Sequence, residues 1–276
     1  MQQTASALLL LILSCLLPYS ATAHFGMIIP AQNTVSPDNR TVSLTLSFSH
    51  PFEEIGMPLE KPAAFYVVKD DKKTDLLNSL EKTSLMDHLA WQLEYPVKRP
   101  GVYHFVMEPH PYWEPTEDSF IIHYTKVIIP AFGADDGWDS ATGTPVEIIP
   151  LLRPFGNYTG NTFVGRVQQH GKAMANTAVE VEFYNQQQQY SAASDYHITQ
   201  LVHTDSNGIF TFTCTNPGWW GFAALSTAEY LLKNPEGQEK SVELGAVLWI
   251  FMDPPQQNRT SLMREIPKPG NLPPRL

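Results

Sequence analysis

Val42, Leu44, Leu46 and Phe48 alternate with Ser43, Thr45, Ser47 and Ser49, a period of two that turns one face of a strand toward a core and the other toward a polar surface. Runs rich in β-branched and aromatic residues at 63–69, 102–107 and 120–129 carry the same signature. Only 74–91 reads as helical, and its apolar spacing is irregular. Beyond residue 144, seven more strands are predicted, over 146–152, 163–168, 179–184, 197–203, 209–214, 221–225 and 244–252. The segment T-D-S-N-G-I-F-T-F predicts a hairpin joining 209–214 to the strand before it, because Asn207 and Gly208 tolerate positive φ. Short strands at this spacing, with turn signals between them, predict an all-β protein of sandwich type.

The pattern lapses between residues 130 and 144 into a stretch dense in Gly and Asp, which reads as a linker over 131–143. It separates two β-sandwich domains, 24–130 and 144–252. From residue 253 onward there are six prolines in 24 residues and few large apolar groups, the composition of a disordered or surface-lying tail. At the other end, residues 7–17 form an apolar run too short to span a bilayer, followed by Pro18, Tyr19 and small residues ending in Ala21-Thr22-Ala23. That is the plan of a cleaved signal peptide over 1–23, which exports the protein to the periplasm and leaves His24 as the first residue. Cys15 sits in a partial lipoprotein cleavage box and offers a lipidated terminus instead, but Leu16 and Leu17 still follow it within the apolar run. No later stretch is long and apolar enough to predict a membrane-spanning helix.

Removing the export segment takes away no charged side chain, so the net charge stays at -10. An acidic chain with no basic run gives nucleic acid nothing to hold, and it favours cations, neutral solutes or proteins as partners. Cys214 then remains the sole cysteine, so no intramolecular disulfide forms; in F-T-F-T-C-T it reads as a buried small apolar side chain. N-x-T triplets begin at Asn39, Asn157 and Asn258 and matter only in a eukaryotic secretory route.

Six of the nine histidines precede the linker. A terminal His24 offers a metal its α-amino nitrogen and its ring Nδ1 together, closing a six-membered chelate with little loss of freedom. Such nitrogens suit nickel, cobalt, copper and zinc. Further imidazoles are available at His50, which ends the strand 42–48 on its buried face, and at His123 in I-I-H-Y-T; His104 in V-Y-H-F-V-M is the weaker choice. For each of these a hydrogen-bonded structural role competes with metal ligation. His110 lies in the stiff loop M-E-P-H-P-Y-W-E-P, which either lines a pocket or caps a sheet with Tyr112 and Trp113. Asp135, Asp136 and Asp139 around Gly137 could contribute to a calcium site but lack the EF-hand spacing. No H-E-x-x-H, G-x-S-x-G, P-loop or G-x-G-x-x-G is present, so no catalytic residue is assigned.

H-F-G-M-I-I-P at 24–30, H-P-F-E at 50–53, V-K-R-P-G-V-Y at 97–103, M-E-P-H-P-Y-W-E-P-T-E-D at 107–118, F-I-I-H-Y-T-K at 120–126, L-R-P-F-G-N-Y at 152–158 and G-W-W-G-F-A-A-L at 218–225 resemble the periplasmic component associated with bacterial cobalt and nickel uptake systems. That family is itself treated as a domain of unknown function, and the similarity runs over about 24–253. It implies an exported β-rich protein that binds Ni²⁺ or Co²⁺ and supplies a membrane transporter of the energy-coupling-factor type. Carried over by position, His24, His50 and His123 are the matching imidazoles. G-K-A-M-A-N-T-A-V-E-V-E-F in the second half is similar to transthyretin-type sandwich domains, which are of the immunoglobulin-like kind and serve as scaffolds. Two other expectations compete: a copper-dependent oxidative enzyme built on a terminal histidine, and a metal-free adhesion or interaction module.

Overall fold

The computed structural model describes residues 24–255. The predicted signal peptide over 1–23 with Cys15, the triplet at Asn258 and all but the first three residues of the predicted tail lie outside the described residues. The protein is all-β. Its first half supplies β1 (Phe25–Pro30), β2 (Thr41–His50), β3 (Ile55–Met57), β4 (Ala64–Lys69), β5 (Lys72–Asp75), β6 (Glu81–Leu85), β7 (His88–Pro96), β8 (Gly101–Glu108), β9 (Tyr112–Glu114) and β10 (Ser119–Ala131). The second half supplies β11 (Val146–Pro150), β12 (Asn157–Tyr158), β13 (Thr162–Gln169), β14 (Lys172–Ala173), β15 (Ala178–Phe183), β16 (Gln200–His203), β17 (Ile209–Thr213), β18 (Gly218–Thr227), β19 (Leu232–Lys233), β20 (Glu239–Lys240) and β21 (Val242–Asp253). Each of the seven strands predicted beyond residue 144 is present.

Beside the small β19–β20 ribbon, three larger sheets stack into two sandwiches. The central sheet runs β16-β15-β18-β21-β10-β8-β4-β5, an outer sheet runs β1-β2-β7-β6, and a second outer sheet is β11-β13-β14 with β17 on β13. The halves 24–130 and 144–252 each give one outer sheet and part of the central one, and a parallel ladder between β10 and β21 joins them. Because side chains alternate across a strand, the central sheet feeds a core on each face. Ile121, Val127, Tyr103, Phe105, Val247 and Trp249 point into the core shared with β1 and β2. Their neighbours Ile122, Ile128, Val102, Leu248 and Trp220 point into the core shared with β13 and β17.

Two sequence expectations change. The stretch 74–91 is not helical: it forms the end of β5, a 3-10 turn at Leu77–Ser79, β6 and the start of β7. Trp91 and Leu93 bury on one face of β7 at period two, and Met86 and Asp87, both at positive φ, close a two-residue hairpin between Leu85 and His88. Met-Asp lacks the usual Asn-Gly signal for such a turn, so the hairpin hides in the sequence. Conversely, the turn at Asn207-Gly208 does not join ladder partners, since β16 pairs with β15 while β17 pairs with β13. The Asp205 carboxylate accepts the Asn207 and Ile209 N–H groups, both at 2.8 Å, and carries the chain from the central to the outer sheet.

Candidate metal centre

β1 and β2 run antiparallel with Phe25 opposite Ser49. One further step of that register sets His24 against His50, and opposed residues share a face. The two rings stand with centroids 4.6 Å apart, each residue only 8% exposed. Phe48, two positions back on the same face of β2, stacks on His24 at 5.7 Å and meets His123 edge-on at 5.9 Å. One phenyl ring therefore spans two imidazoles, one from each side of the sandwich.

His123 comes from the central sheet, where the β10–β21 register places it beside Gly245. A methyl group at 245 would stand 2.6 Å from His123 Nε2, so the missing side chain is what lets the ring lie over β21. Gly26 serves the same purpose from the other side: a methyl there would run into Thr125 Oγ1 and sit 3.2 Å from His123 Cβ. The Gly26 N–H donates to His123 Nδ1 at 3.4 Å, and the buried Trp249 indole N–H donates to the Gly26 carbonyl at 2.8 Å. Both polar backbone groups of Gly26 are thus tied to the central sheet. This fixes the first residues of β1 against the central sheet.

Carboxylates ring the imidazoles. Glu114 Oε2 lies 3.3 Å from His24 Nε2, Glu117 Oε1 3.6 Å from His24 Nδ1, and Glu243 Oε1 3.5 Å from His123 Nε2. Burial, then the adjoining His50 and His123, lower His24 from 6.5 to about 4 against the opposing pull of Glu114. Its ring is neutral at pH 7. Burial works to raise Glu114, but the Thr116 donors and His24 hold it below its ordinary value. Glu117 goes the other way, raised by burial and then by Glu243 and Glu114. The row continues over the central sheet to Glu180, which burial and then Glu243 lift to about 7. Burial lifts Glu182 to about 8, although the Thr199 hydroxyl and the Phe52 N–H both donate to it.

The loop after His50 is held by the second half of the chain. Asn185 donates from its backbone to Pro51 O at 3.3 Å and from Nδ2 to Phe52 O at 3.1 Å, and the Gln187 N–H donates to Glu54 at 3.1 Å. A cavity of about 240 Å³ opens beside the cluster, with Gly26, Phe48, Tyr112 and His123 in its wall. His110 lies exposed at this cavity, on the loop that leads into β9.

His104 is elsewhere. It shares the parity of Val102 on β8, whereas His123 shares that of Ile121 on β10, so the two occupy opposite faces of the central sheet. Its Nε2 donates to Gly137 O at 2.9 Å, within the 131–143 segment. Burial and then Lys126 lower it to about 4. Beside it, Lys126 Nζ meets Glu147 Oε1 at 2.6 Å, both side chains being almost fully buried. Of the acids considered for calcium, Asp135 faces Arg153 at 3.7 Å. Cys214 is buried and free, and burial raises its thiol, as expected of a structural cysteine. Asn157 is also buried, its Nδ2 donating to Arg153 O.

Among the described residues, no three His, Cys, Asp or Glu side chains are arranged to hold a metal ion. The His24 nitrogens face Glu114 and Glu117, and those of His123 face the Gly26 N–H and Glu243. The donor types, imidazole with carboxylate behind it, suit a first-row divalent ion. Sequence reasoning missed Glu243, Glu180 and Glu182. V-E-V-E-F reads as ordinary alternation with a solvated face, and only the 50–54 loop, whose Phe52 N–H donates to Glu182, reveals that face as covered.

Residues 21–228 match the model of a family described as "Domain of unknown function (DUF4198)". Comparison with curated proteins gives no match. Among solved structures, the D0-D1 domain of intimin is 10% identical with a TM-score of 0.22, the match covering 83% of this chain and 100% of that one. A two-domain fibronectin type-III segment from chicken tenascin is 12% identical with a TM-score of 0.20, covering 81% and 100%. The titin Ig tandem A164-A165 is 9% identical with a TM-score of 0.21, covering 80% and 98%. Scores of this size carry no functional argument. No helix among the described residues is long and apolar enough to cross a membrane.

Proposed function

The chain belongs to the DUF4198 family, a domain of unknown function, and we propose from its imidazole cluster that it is an exported protein that captures one Ni²⁺ or Co²⁺ ion and passes it to a membrane uptake transporter of the energy-coupling-factor type. The observation that carries this reading is the meeting of His24 and His50 at 4.6 Å, with His123 against the same phenyl ring of Phe48. These are the three imidazoles that the sequence resemblance singles out. In this reading, cleavage after Ala23 frees an α-amine at the point where Gly26 is tied down, so that amine starts life among the other nitrogens. His24 contributes its amine and Nδ1, and His50 and His123 contribute ring nitrogens. Glu114, Glu117 and Glu243 orient those rings and offset the ion's charge.

Isothermal titration of processed protein with Ni²⁺, Co²⁺, Cu²⁺ and Zn²⁺ tests the proposal. One residue added ahead of His24 should weaken Ni²⁺ and Co²⁺ binding at least tenfold, and His50→Ala or His123→Ala should do likewise. Equal affinity in blocked and native forms would remove the terminus from the site. Reduction of oxygen with bound Cu²⁺ and a reductant would replace the capture reading with an oxidative one. Cells lacking the protein should accumulate less radioactive nickel at low external concentration, which reads the delivery step.

A further inference from the structure

Cations scattered along an acidic chain meet at one end of the molecule. Asp70 and Asp71, both at positive φ, close a two-residue hairpin that sets Lys69 opposite Lys72 on β4 and β5. Like charges opposed across a ladder repel one another. Lys98 and Arg99, in the turn between β7 and β8, line the same open cavity of about 640 Å³, and Tyr95 and Tyr103 form part of its wall. The two turns are tied together. The Tyr103 hydroxyl donates to Arg99 O at 2.7 Å, and the Lys69 ammonium stands 5.8 Å from the centroid of the Tyr103 ring. Gly101 is what admits Lys69: a methyl at 101 would run into Lys69 Cε, so the lysine stem lies across the second turn. One carboxylate, Asp70, shares the wall, and it pairs with Lys69. Lys72, Lys98 and Arg99 are exposed and, among the described residues, form no ion pair. In the sequence these are two short pairs, K-K at 72–73 and K-R at 98–99, and only the approach of the two turns makes one basic cleft of them.

We infer that this cleft binds a small soluble molecule through a diphosphate group. Two turns, each bearing two cations, suit an anion whose charge is spread over two linked oxyanion centres; a single carboxylate meets only one of them. The Arg99 guanidinium offers a planar fork to phosphate oxygens, and the lysines act as point charges around it. Burial, then Tyr103, raises the Tyr95 hydroxyl, which keeps its proton and adds a neutral donor to the wall. A soluble ligand fits better than a lipid headgroup, because none of the large apolar side chains exposed on the protein lies in the wall, and a membrane-facing surface joins basic to apolar groups. The cleft is separate from the imidazoles. Tyr103 pairs with Ile129, six residues along β10 from His123, which sets the two sites roughly 20 Å apart. The inference therefore goes beyond the capture reading and does not rest on it.

Calorimetric titration of the purified protein at low ionic strength compares inorganic pyrophosphate with orthophosphate. Pyrophosphate should bind about tenfold tighter or more, the effect of one further charge-assisted contact. Lys72→Ala and Arg99→Ala, at exposed positions on the two different turns, should each weaken pyrophosphate binding about tenfold. Lys233→Ala, at an exposed lysine outside the cleft, should leave it unchanged. Equal weakening by all three substitutions would reduce the binding to diffuse attraction and overturn the site. Cosedimentation with vesicles of phosphatidylglycerol and phosphatidylcholine reads the lipid source. Protein that pellets with those vesicles while pyrophosphate gives no heat would replace the soluble ligand with a membrane surface. Equal affinity for the two phosphates, or no binding of pyrophosphate, overturns the inference and leaves metal capture at the imidazoles untouched.

Discussion

Replacing Gly245 by alanine tests whether His123 acts through its place in the fold. Gly245 carries no positive φ, so alanine costs nothing in backbone strain and even suits a strand better. The whole effect is steric. The new methyl would stand 2.6 Å from Nε2 of the imidazole, whereas ordinary contact between such atoms begins near 3.5 Å. The ring, or β21 itself, must give by about 1 Å. The ladder holds β21 between β10 and β18 along most of its length, so the imidazole yields first. It then leaves the Gly26 N–H, whose hydrogen bond at 3.4 Å is already long, and it leaves Glu243. Overpacking of this kind costs about 1–3 kcal/mol, which a urea titration resolves. Displacing an oriented ligand ring by this distance should lower metal affinity about 10–100-fold, comparable to losing an outer-shell partner. Calorimetry on Gly245→Ala and His123→Ala side by side reads both numbers. If Gly245→Ala binds Ni²⁺ as wild type does while losing the expected stability, the His123 ring has no part in the site.

Three further outcomes follow from the buried polar groups. Lys126→Met should destabilise by about 3–5 kcal/mol because it leaves the buried Glu147 charge with only the Thr142 N–H and hydroxyl as donors, and Lys126→Met with Glu147→Leu should recover much of that in urea unfolding, since replacing a buried pair as a unit is often neutral. His104, lowered to about 4 in the folded state from 6.5, contributes stability that is complete above about pH 6.5 and is lost as pH falls toward 4. Glu182, raised to about 8, contributes stability present below its ordinary value of 4.5 and lost as pH rises through 8. Urea midpoints against pH should therefore fall at both ends, with His104→Phe making shallower an acid limb that His24 shares and Glu182→Gln making shallower the fall toward pH 8 that Glu180 shares; an unchanged profile in either variant refutes the assignment. Asn185→Ala should cost about 1–3 kcal/mol by releasing the Phe52 and Tyr190 carbonyls. It should also weaken Ni²⁺ binding without touching an imidazole, and unaltered affinity would show that the 50–54 loop positions His50 unaided.

The strands were legible wherever one face met a core and the other met water, as in Val42 to Phe48, because period-two alternation reports that situation directly. It reports burial and says nothing of partners. The alternation in β10 cannot reveal that β21, more than a hundred residues onward, lies parallel beside it, and that pairing is what brings Gly245 under His123. Likewise, the parity of His50 on β2 was readable, whereas its meeting with His24 depends on the register of β1, set across a ten-residue connection. His104 shows the converse: its local pattern matches that of His123, and only the opposite parity of two neighbouring strands in one sheet separates them.

The same logic explains the carboxylates. Glu114 and Glu117 read as loop charge because β9 and the following turn are short and proline-rich, with no periodicity to assign a face. Glu180 and Glu182 read as a wet face because the cover over them comes from the other half of the chain. The candidate site thus lies where three separately encoded surfaces converge: the start of β1, the end of β2 and the middle of the β10–β21 ladder. Two cores specify them: Phe25 on β1, Phe48 on β2 and Trp249 share one, while Leu244 and Ala246, flanking Gly245, pack in the other. A substitution that loosens either core should therefore reach the imidazoles, and the Trp249 indole that holds Gly26 is the shortest link between core and site.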